Sequence, residues 1–331
     1  FRSTKLVNSM KKSAILTLLL GFLLLFAWHI QAIDTPEARE HAKKIRGLAL
    51  NYATVNNIEI AYKVIGKDDN PAVLLIMGLG ASHVVWGDNL VMQLADAGYR
   101  IVLFDNRDTG DSQRLEEFGQ PLLWWQLLKA RFGFDVDADY TLDDMAQDSV
   151  ALLDELGIER AHIVGASMGG MIAQVVATNH PSRVLSLVSI MSTPGFGDHL
   201  PPPSTEANDQ LTNMAKDKVD NKARLRQLGI YTESMPRQIM AVIKSGDRTE
   251  AVKTISAPTL VIHGVDDPLI PLPHGEYTAE LIRESKFVAL EGMAHNMPAE
   301  ILPEILSHMV QHFETTDRTA LSNPESIESL P

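Results

Sequence analysis

Residues Ala161–Gly170 read AHIVGASMGG, and the order within those ten decides the fold. A short run suited to a buried strand meets Gly165-Ala166-Ser167-Met168-Gly169, and helical sequence follows from Met168 to Asn179 before Pro181 closes it. A strand that enters a helix through G-x-S-x-G makes a sharp turn, which lifts the serine hydroxyl off the carboxyl edge of a sheet. Glycines on either side let neighbouring backbones approach closely, and the helix N-terminus points N–H donors at any negative charge that develops there.

Working outward, Ala72–Met77 (AVLLIM), Tyr99–Phe104 (YRIVLF) and Val184–Ile190 are short apolar runs of the kind buried on both faces of a parallel sheet. Thr259–His263 and Lys286–Leu290 add two more strands. Helical periodicity fills the gaps at Trp86–Ala97, at Thr141–Leu156 with Asp144 three residues after its cap, near Glu276–Glu284 and at Ala299–Phe313. Tyr52–Ile65 alternates as a hairpin would, with Asn56-Asn57 at its turn. Strands and helices in this alternation predict an α/β fold, a mostly parallel doubly wound sheet.

Two stretches break the rhythm. Gln113–Tyr140 holds Trp124-Trp125, for which core packing is expected ahead of an acyl pocket or a membrane contact. Thr193–Ser256 opens near Pro201-Pro202-Pro203 and turns helical and charged, so it reads as a helical lid inserted between strands 6 and 7. The catalytic domain is expected over residues 33–313, with the lid at about 193–256 and a disordered acidic tail at 314–331.

A serine hydroxyl is a weak nucleophile until a base takes its proton, and the base needs a carboxylate to hold its tautomer. Of the 11 histidines, His295 in Gly292-Met293-Ala294-His295 follows the last strand and so reaches the edge where Ser167 stands. His162 and His263 fall inside buried strands, His180 ends a helix, and His308 and His312 lie on the last helix. The strand TLVIH ends at Gly264-Val265-Asp266-Asp267, which offers Asp267 as the acid, with Asp266 as the fallback.

Those motifs, with Met77-Gly78-Leu79-Gly80 and Asp105-Asn106-Arg107-Asp108-Thr109-Gly110-Asp111-Ser112, resemble the α/β-hydrolase superfamily. Within it they resemble the carboxylesterase and aclacinomycin methylesterase-like branch, and the likeness spans about Tyr52–Phe313. The resemblance implies an oxyanion hole from the backbone N–H groups of Leu79 and Met168. Many relatives carry His-Gly where this chain has Met77-Gly78, which leaves a backbone donor in place. It also implies that Arg107 braces loops beside the site.

The reading that follows is a serine carboxylesterase for small to medium esters, working through Ser167, Asp267 and His295 and an acyl-enzyme. Lactonase, amidase, C–C hydrolase and perhydrolase chemistry use the same three groups, and a catalytically silent binding module is the alternative of a different class. No metal and no organic cofactor is called for, and substrate-binding residues are not legible from spacing. The charges of Lys216, Asp217, Lys218, Asp220, Lys222, Arg224 and Arg226 argue against a broad apolar lipase lid.

Composition narrows the setting. A formal net charge of −13 repels phosphate backbones, so a nucleic-acid partner is not expected. The chain has 0 cysteines, which excludes disulfides, thiolate metal sites and a cysteine nucleophile. Met10-Lys11-Lys12, the apolar run Ala14–Ile30 and Ala32 form a Sec signal pattern over residues 1–32, with Phe1–Ser9 upstream of the natural start. Cleavage after Ala32 gives a secreted or periplasmic protein; retention leaves an inner-membrane anchor, the one membrane contact this reading allows. Mass measurement of the mature protein is expected to find Ile33 first, and a chain still beginning at Met10 would rule cleavage out.

Overall fold

The structure is a computed structural model, and it describes residues 41–197, 199–202, 204–205 and 222–322. The signal or anchor segment expected at 1–32 lies outside the described residues. No helix among those described is long and apolar enough to cross a membrane.

One sheet of eight strands runs through the molecule: β1 (Asn51–Val55), β2 (Ile58–Ile65), β3 (Ala72–Ile76), β4 (Arg100–Phe104), β5 (Ala161–Ala166), β6 (Val184–Ile190), β7 (Thr259–Gly264) and β8 (Lys286–Leu290). Their order is β1-β2-β4-β3-β5-β6-β7-β8. β1, β2 and β4 pair antiparallel, and every pairing from β4 to β8 is parallel. Asn56 and Asn57 make the β1–β2 turn with φ of 48° and 60°, the left-handed pair that a two-residue hairpin of matching twist requires.

Residues of β3, β5 and β7 are buried throughout, because helices cover both faces. On one face lie α1 (Lys43–Gly47), α2 (Gly87–Asp96) and the final helix. On the other, α4 (Leu142–Glu155) packs on α5 (Met168–Asn179), with α3 (Leu123–Arg131) further out. Each fully buried Leu, Ile or Val contributes about 1.5–3 kcal/mol relative to exposure, which is why they make up most of β3 and the middle of β7. Thr141 and Asp144 form the full capping box, each accepting the other's backbone N–H.

The lid leaves the sheet after β6 and returns at β7, as the sequence predicts. Its described helices are α6 (Lys222–Gln227), α7 (Met235–Ser245) and α8 (Thr249–Val252); α9 (Pro273–Leu281) then links β7 to β8.

Two expectations need correction. The last helix, α10 (Leu302–Ser322), continues nine residues past Phe313, through sequence read as the start of a disordered tail. Buried Thr316 bonds back to His312 O, Arg318 pairs with Glu314, and Asp317 Oδ1 lies 3.2 Å from His162 Nε2, so tertiary contact holds a polar helix end. Residues 323–331 lie outside the described residues. Trp124 and Trp125 are not core residues: both are exposed, at 66% and 47%. Adjacent helical residues point about 100° apart, and in α3 it is Gln126 that turns inward.

Two buried histidines set an acid limit. Burial lowers His274 to about 4, and burial with the nearby His162 and Lys286 charges lowers His312 to about 4. Protonation therefore favours the unfolded chain, where imidazole keeps its ordinary value near 6.5. Stability is complete above pH 6.5 and is lost as the pH falls from there toward 4, by about 2 kcal/mol per histidine at pH 5. Thermal unfolding should show a lower Tm at pH 5 than at pH 7.5. His274→Asn should shrink that difference; an unchanged difference would remove His274 from the account.

Candidate active site

Ser167 stands between β5 and α5 with φ 57° and ψ −121°, a conformation that ordinary residues avoid. The turn closes only because two side chains are missing. A Cβ on Gly165 would run into the carbonyl of Gly169, and a Cβ on Gly169 would run into the carbonyl of Ile76. Hydrogen bonds then fix the strained residue: its N–H donates to Ile190 O at 2.9 Å, and Ser192 Oγ donates to its carbonyl at 2.8 Å.

The loops after β7 and β8 bring the other two predicted residues to the same edge. His295 Nε2 lies 2.9 Å from Ser167 Oγ, and His295 Nδ1 lies 2.7 Å from Asp267 Oδ2. Asp267 is buried, and its Oδ1 accepts the backbone N–H groups of Leu269 and Ile270, both at 2.9 Å. One oxygen is thus anchored to the backbone and the other faces the imidazole. Asp266, the fallback, is exposed and leaves the pair clear. His263 Nε2 donates to Ile270 O at 2.6 Å, which steadies the loop carrying Asp267, and burial holds that imidazole below its ordinary range.

Leu79 and Met168 reach the site by topology. β3 connects to β4 on one side while β5 lies on its other side, so the loops after β3 and β5 diverge around one crevice at the carboxyl edge. A Cβ on Gly78 would lie 3.1 Å from Ser167 Cβ, so the Met77–Gly80 loop passes directly over the serine. Among the described residues neither the Leu79 nor the Met168 N–H has a hydrogen-bond acceptor.

That loop is tied on both sides. Asn106 Nδ2 donates to Met77 O at 2.8 Å. Gly80 N–H donates to Gln238 Oε1 at 2.6 Å, and Gly80 O accepts from Tyr231 N–H at 2.7 Å. Ser82 N–H donates to Gly229 O, and Ala81 pairs with Ile230 as an antiparallel bridge. The lid is therefore partner to the loop beneath it.

The Asp105–Ser112 turn supplies the buttress. Asp105 Oδ1 accepts from His83 N–H at 2.7 Å, and Arg107 makes a two-pronged pair with Asp148, both contacts 2.6 Å, as the bracing role implied by resemblance requires. Arg237 of α7 grips Asp108 the same way at 2.6 and 2.8 Å, with both side chains buried. Sequence reading missed Arg237 and Gln238. Their partners lie 129 residues away, and the only signal was that α7 carries polar residues on an otherwise apolar face. No group of three or more potential metal ligands occurs among the described residues.

A family whose model is described as the alpha/beta hydrolase fold matches residues 71–227. Rhodomycin D methylesterase DauP of Streptomyces sp. (strain C5) is 24% identical over 305 residues, 78% of this chain and 96% of its own. A putative carbamate hydrolase RutD of Variovorax paradoxus (strain S110) is 28% identical over 259 residues, 71% of this chain and 90% of its own. Among solved structures, a bacterial membrane phospholipase A shares the fold with a TM-score of 0.61 at 23% identity, over 90% of this chain and 98% of its own.

Removing one partner of a buried ion pair leaves an uncompensated charge and costs about 3–5 kcal/mol. Arg237→Met should lower the unfolding free energy in urea by that amount. Adding Asp108→Asn should recover part of the loss, and a double variant that is additive would show the two groups to be independent.

Proposed function

This chain belongs to the α/β-hydrolase superfamily, in its esterase-like branch, and from that premise we propose that it is a serine carboxylesterase acting on esters of small to medium chain length. The observation that carries the reading is the unbroken line of hydrogen-bonding distances from Ser167 Oγ through His295 to Asp267. Its methylesterase relative acts on an ester by name, and its carbamate relative on a carbonyl of the same heteroatom-substituted kind.

In the proposed reaction His295 Nε2 takes the Ser167 proton as Oγ attacks the ester carbonyl. Asp267 Oδ2 accepts the Nδ1–H throughout, which keeps Nε2 free as a base and stabilises the imidazolium that forms. The carbonyl oxygen becomes an oxyanion facing the Leu79 and Met168 N–H groups, and a donor of that kind is typically worth about 10²–10³ in rate. Collapse of the intermediate expels the alcohol, with the proton returned from His295, and leaves the acyl group on Ser167. Water, deprotonated by His295, then attacks the acyl carbonyl by the same steps and frees the acid. Serine at this turn excludes the direct alkylation chemistry of an aspartate nucleophile.

We place this activity outside the cytoplasm, on the strength of the Met10–Ala32 signal pattern: secreted or periplasmic if the segment is removed, held at the inner membrane if it is kept.

Hydrolysis of a p-nitrophenyl ester series from acetate to palmitate tests the reading. The rate should be greatest for short and medium chains, and Ser167→Ala should lower turnover on the order of 10⁶-fold, the loss seen when a model serine protease loses its serine. Turnover of carbamates or lactones without any ester would move the assignment to those acyl substrates. Activity that survives in Ser167→Ala would overturn the mechanism.

A further inference from the structure

Among the described residues, every large apolar side chain that is exposed, except Tyr52, falls between residues 118 and 134. Leu122, Trp124 and Phe134 are each more than 60% exposed, and Phe118, Trp125 and Leu128 join them. Scattered apolar residues on a surface are ordinary; their confinement to one seventeen-residue stretch, with Trp124 and Trp125 in ring contact, is not. α3 is also inside out. Its buried Gln126 bonds to the Asp137 carboxylate and backbone, while its tryptophans face away from the protein.

We propose that residues 118–134 are a membrane-docking surface, which lays the lid flank of the molecule against a phospholipid bilayer. Three observations select a bilayer as the occupant. Paired tryptophans on a short helix, flanked in sequence by exposed Phe and Leu, are the composition that settles at the boundary of headgroups and acyl chains. The described chain also begins on this flank. Arg46 donates to Gln227 O, Arg226 pairs with Glu233, and Gln120 donates to Glu233 O, so α1 and the aromatic segment share one edge of the lid. The apolar run Ala14–Ile30 precedes α1 by only a dozen residues and, kept as an anchor, would hold this flank beside the membrane.

Charge defines what kind of bilayer contact this is. Between residues 116 and 139 stand five acidic residues (Glu116, Glu117, Asp135, Asp137, Asp139) and two basic ones (Lys129, Arg131), a formal charge of −3. Lys129 is committed to Asp137 at 2.8 Å. The segment itself is net acidic, so attraction to anionic headgroups does not drive the contact: it is apolar, independent of anionic lipid and insensitive to salt.

The absence of cysteine allows a direct test. Single cysteines at Leu122 and Phe134, and at the exposed Arg283 as control, are labelled with an environment-sensitive fluorophore in the full chain, reconstituted into phosphatidylcholine vesicles. The labels at 122 and 134 should shift to the blue and be quenched by brominated phosphatidylcholine, with no response at 283 and no change in 0.5 M salt. Trp124→Ala/Trp125→Ala should reduce that quenching at least five-fold while the chain, keeping residues 14–30, stays on the vesicles. These exposed substitutions should leave the Tm unchanged, so lost quenching reports on docking. Labels as open to aqueous iodide on vesicles as in detergent would overturn the proposal, as would a requirement for anionic lipid. Shielding present without lipid and rising with protein concentration would assign the surface to a second copy of the chain, and overturns it equally.

Discussion

Everything at the site hangs on three backbones meeting without side chains between them. The β5–α5 turn, the first turn of α5 and the end of β3 touch where Gly165 and Gly169 sit, and a single methyl group at either place would collide with a carbonyl. Strain at a positive φ on a non-glycine residue costs on the order of 1–3 kcal/mol, and the surrounding structure must over-determine it to keep it. Here the sheet does so, through Ile190 and Ser192 from β6 and its loop. The serine's position is thus a property of the parallel sheet.

The same contact explains why the lid is part of the site and more than a cover. Because the loop after β3 lies over Ser167, whatever holds that loop also fixes the Leu79 N–H. Most of what holds it comes from the lid: Gln238, Tyr231 and Gly229 all bond to residues 80–82. Arg237 then ties α7 to Asp108, the residue next to Arg107, whose pair with Asp148 joins the same turn to α4. Two buried, two-pronged ion pairs side by side are costly to desolvate, and their worth lies in geometry: each guanidinium fixes a direction as well as a distance.

Much of this was readable in the sequence, for definite reasons. The buried strands announced themselves as unbroken apolar runs, and Asn56-Asn57 and Thr141–Asp144 use local chemistry that works within three or four residues. The meeting of Ser167, Asp267 and His295 was foreseeable because a parallel sheet collects the ends of its strands on one edge, so position after a strand is position at that edge. What could not be read is non-local or exposed. Gln238 and Arg237 acquire meaning only from partners more than a hundred residues away. Trp124-Trp125 misled because hydrophobicity predicts burial without saying in what; in α3 the polar Gln126 turns inward and the tryptophans outward, the reverse of what hydrophobicity suggests. The polar end of α10 misled in the opposite sense, since composition alone cannot foresee that Asp317 finds His162.

The short antiparallel bridge between Ala81 and Ile230 has an evolutionary consequence. In many enzymes the segment that selects the substrate can diverge freely while the chemistry stays constant. Here residues 229–238, within the insertion, are tied directly to the loop that lies over Ser167. A lineage that altered this stretch to accept a new acyl group would change its turnover in the same step. Residues 229–238 are therefore expected to change more slowly than a free surface loop would.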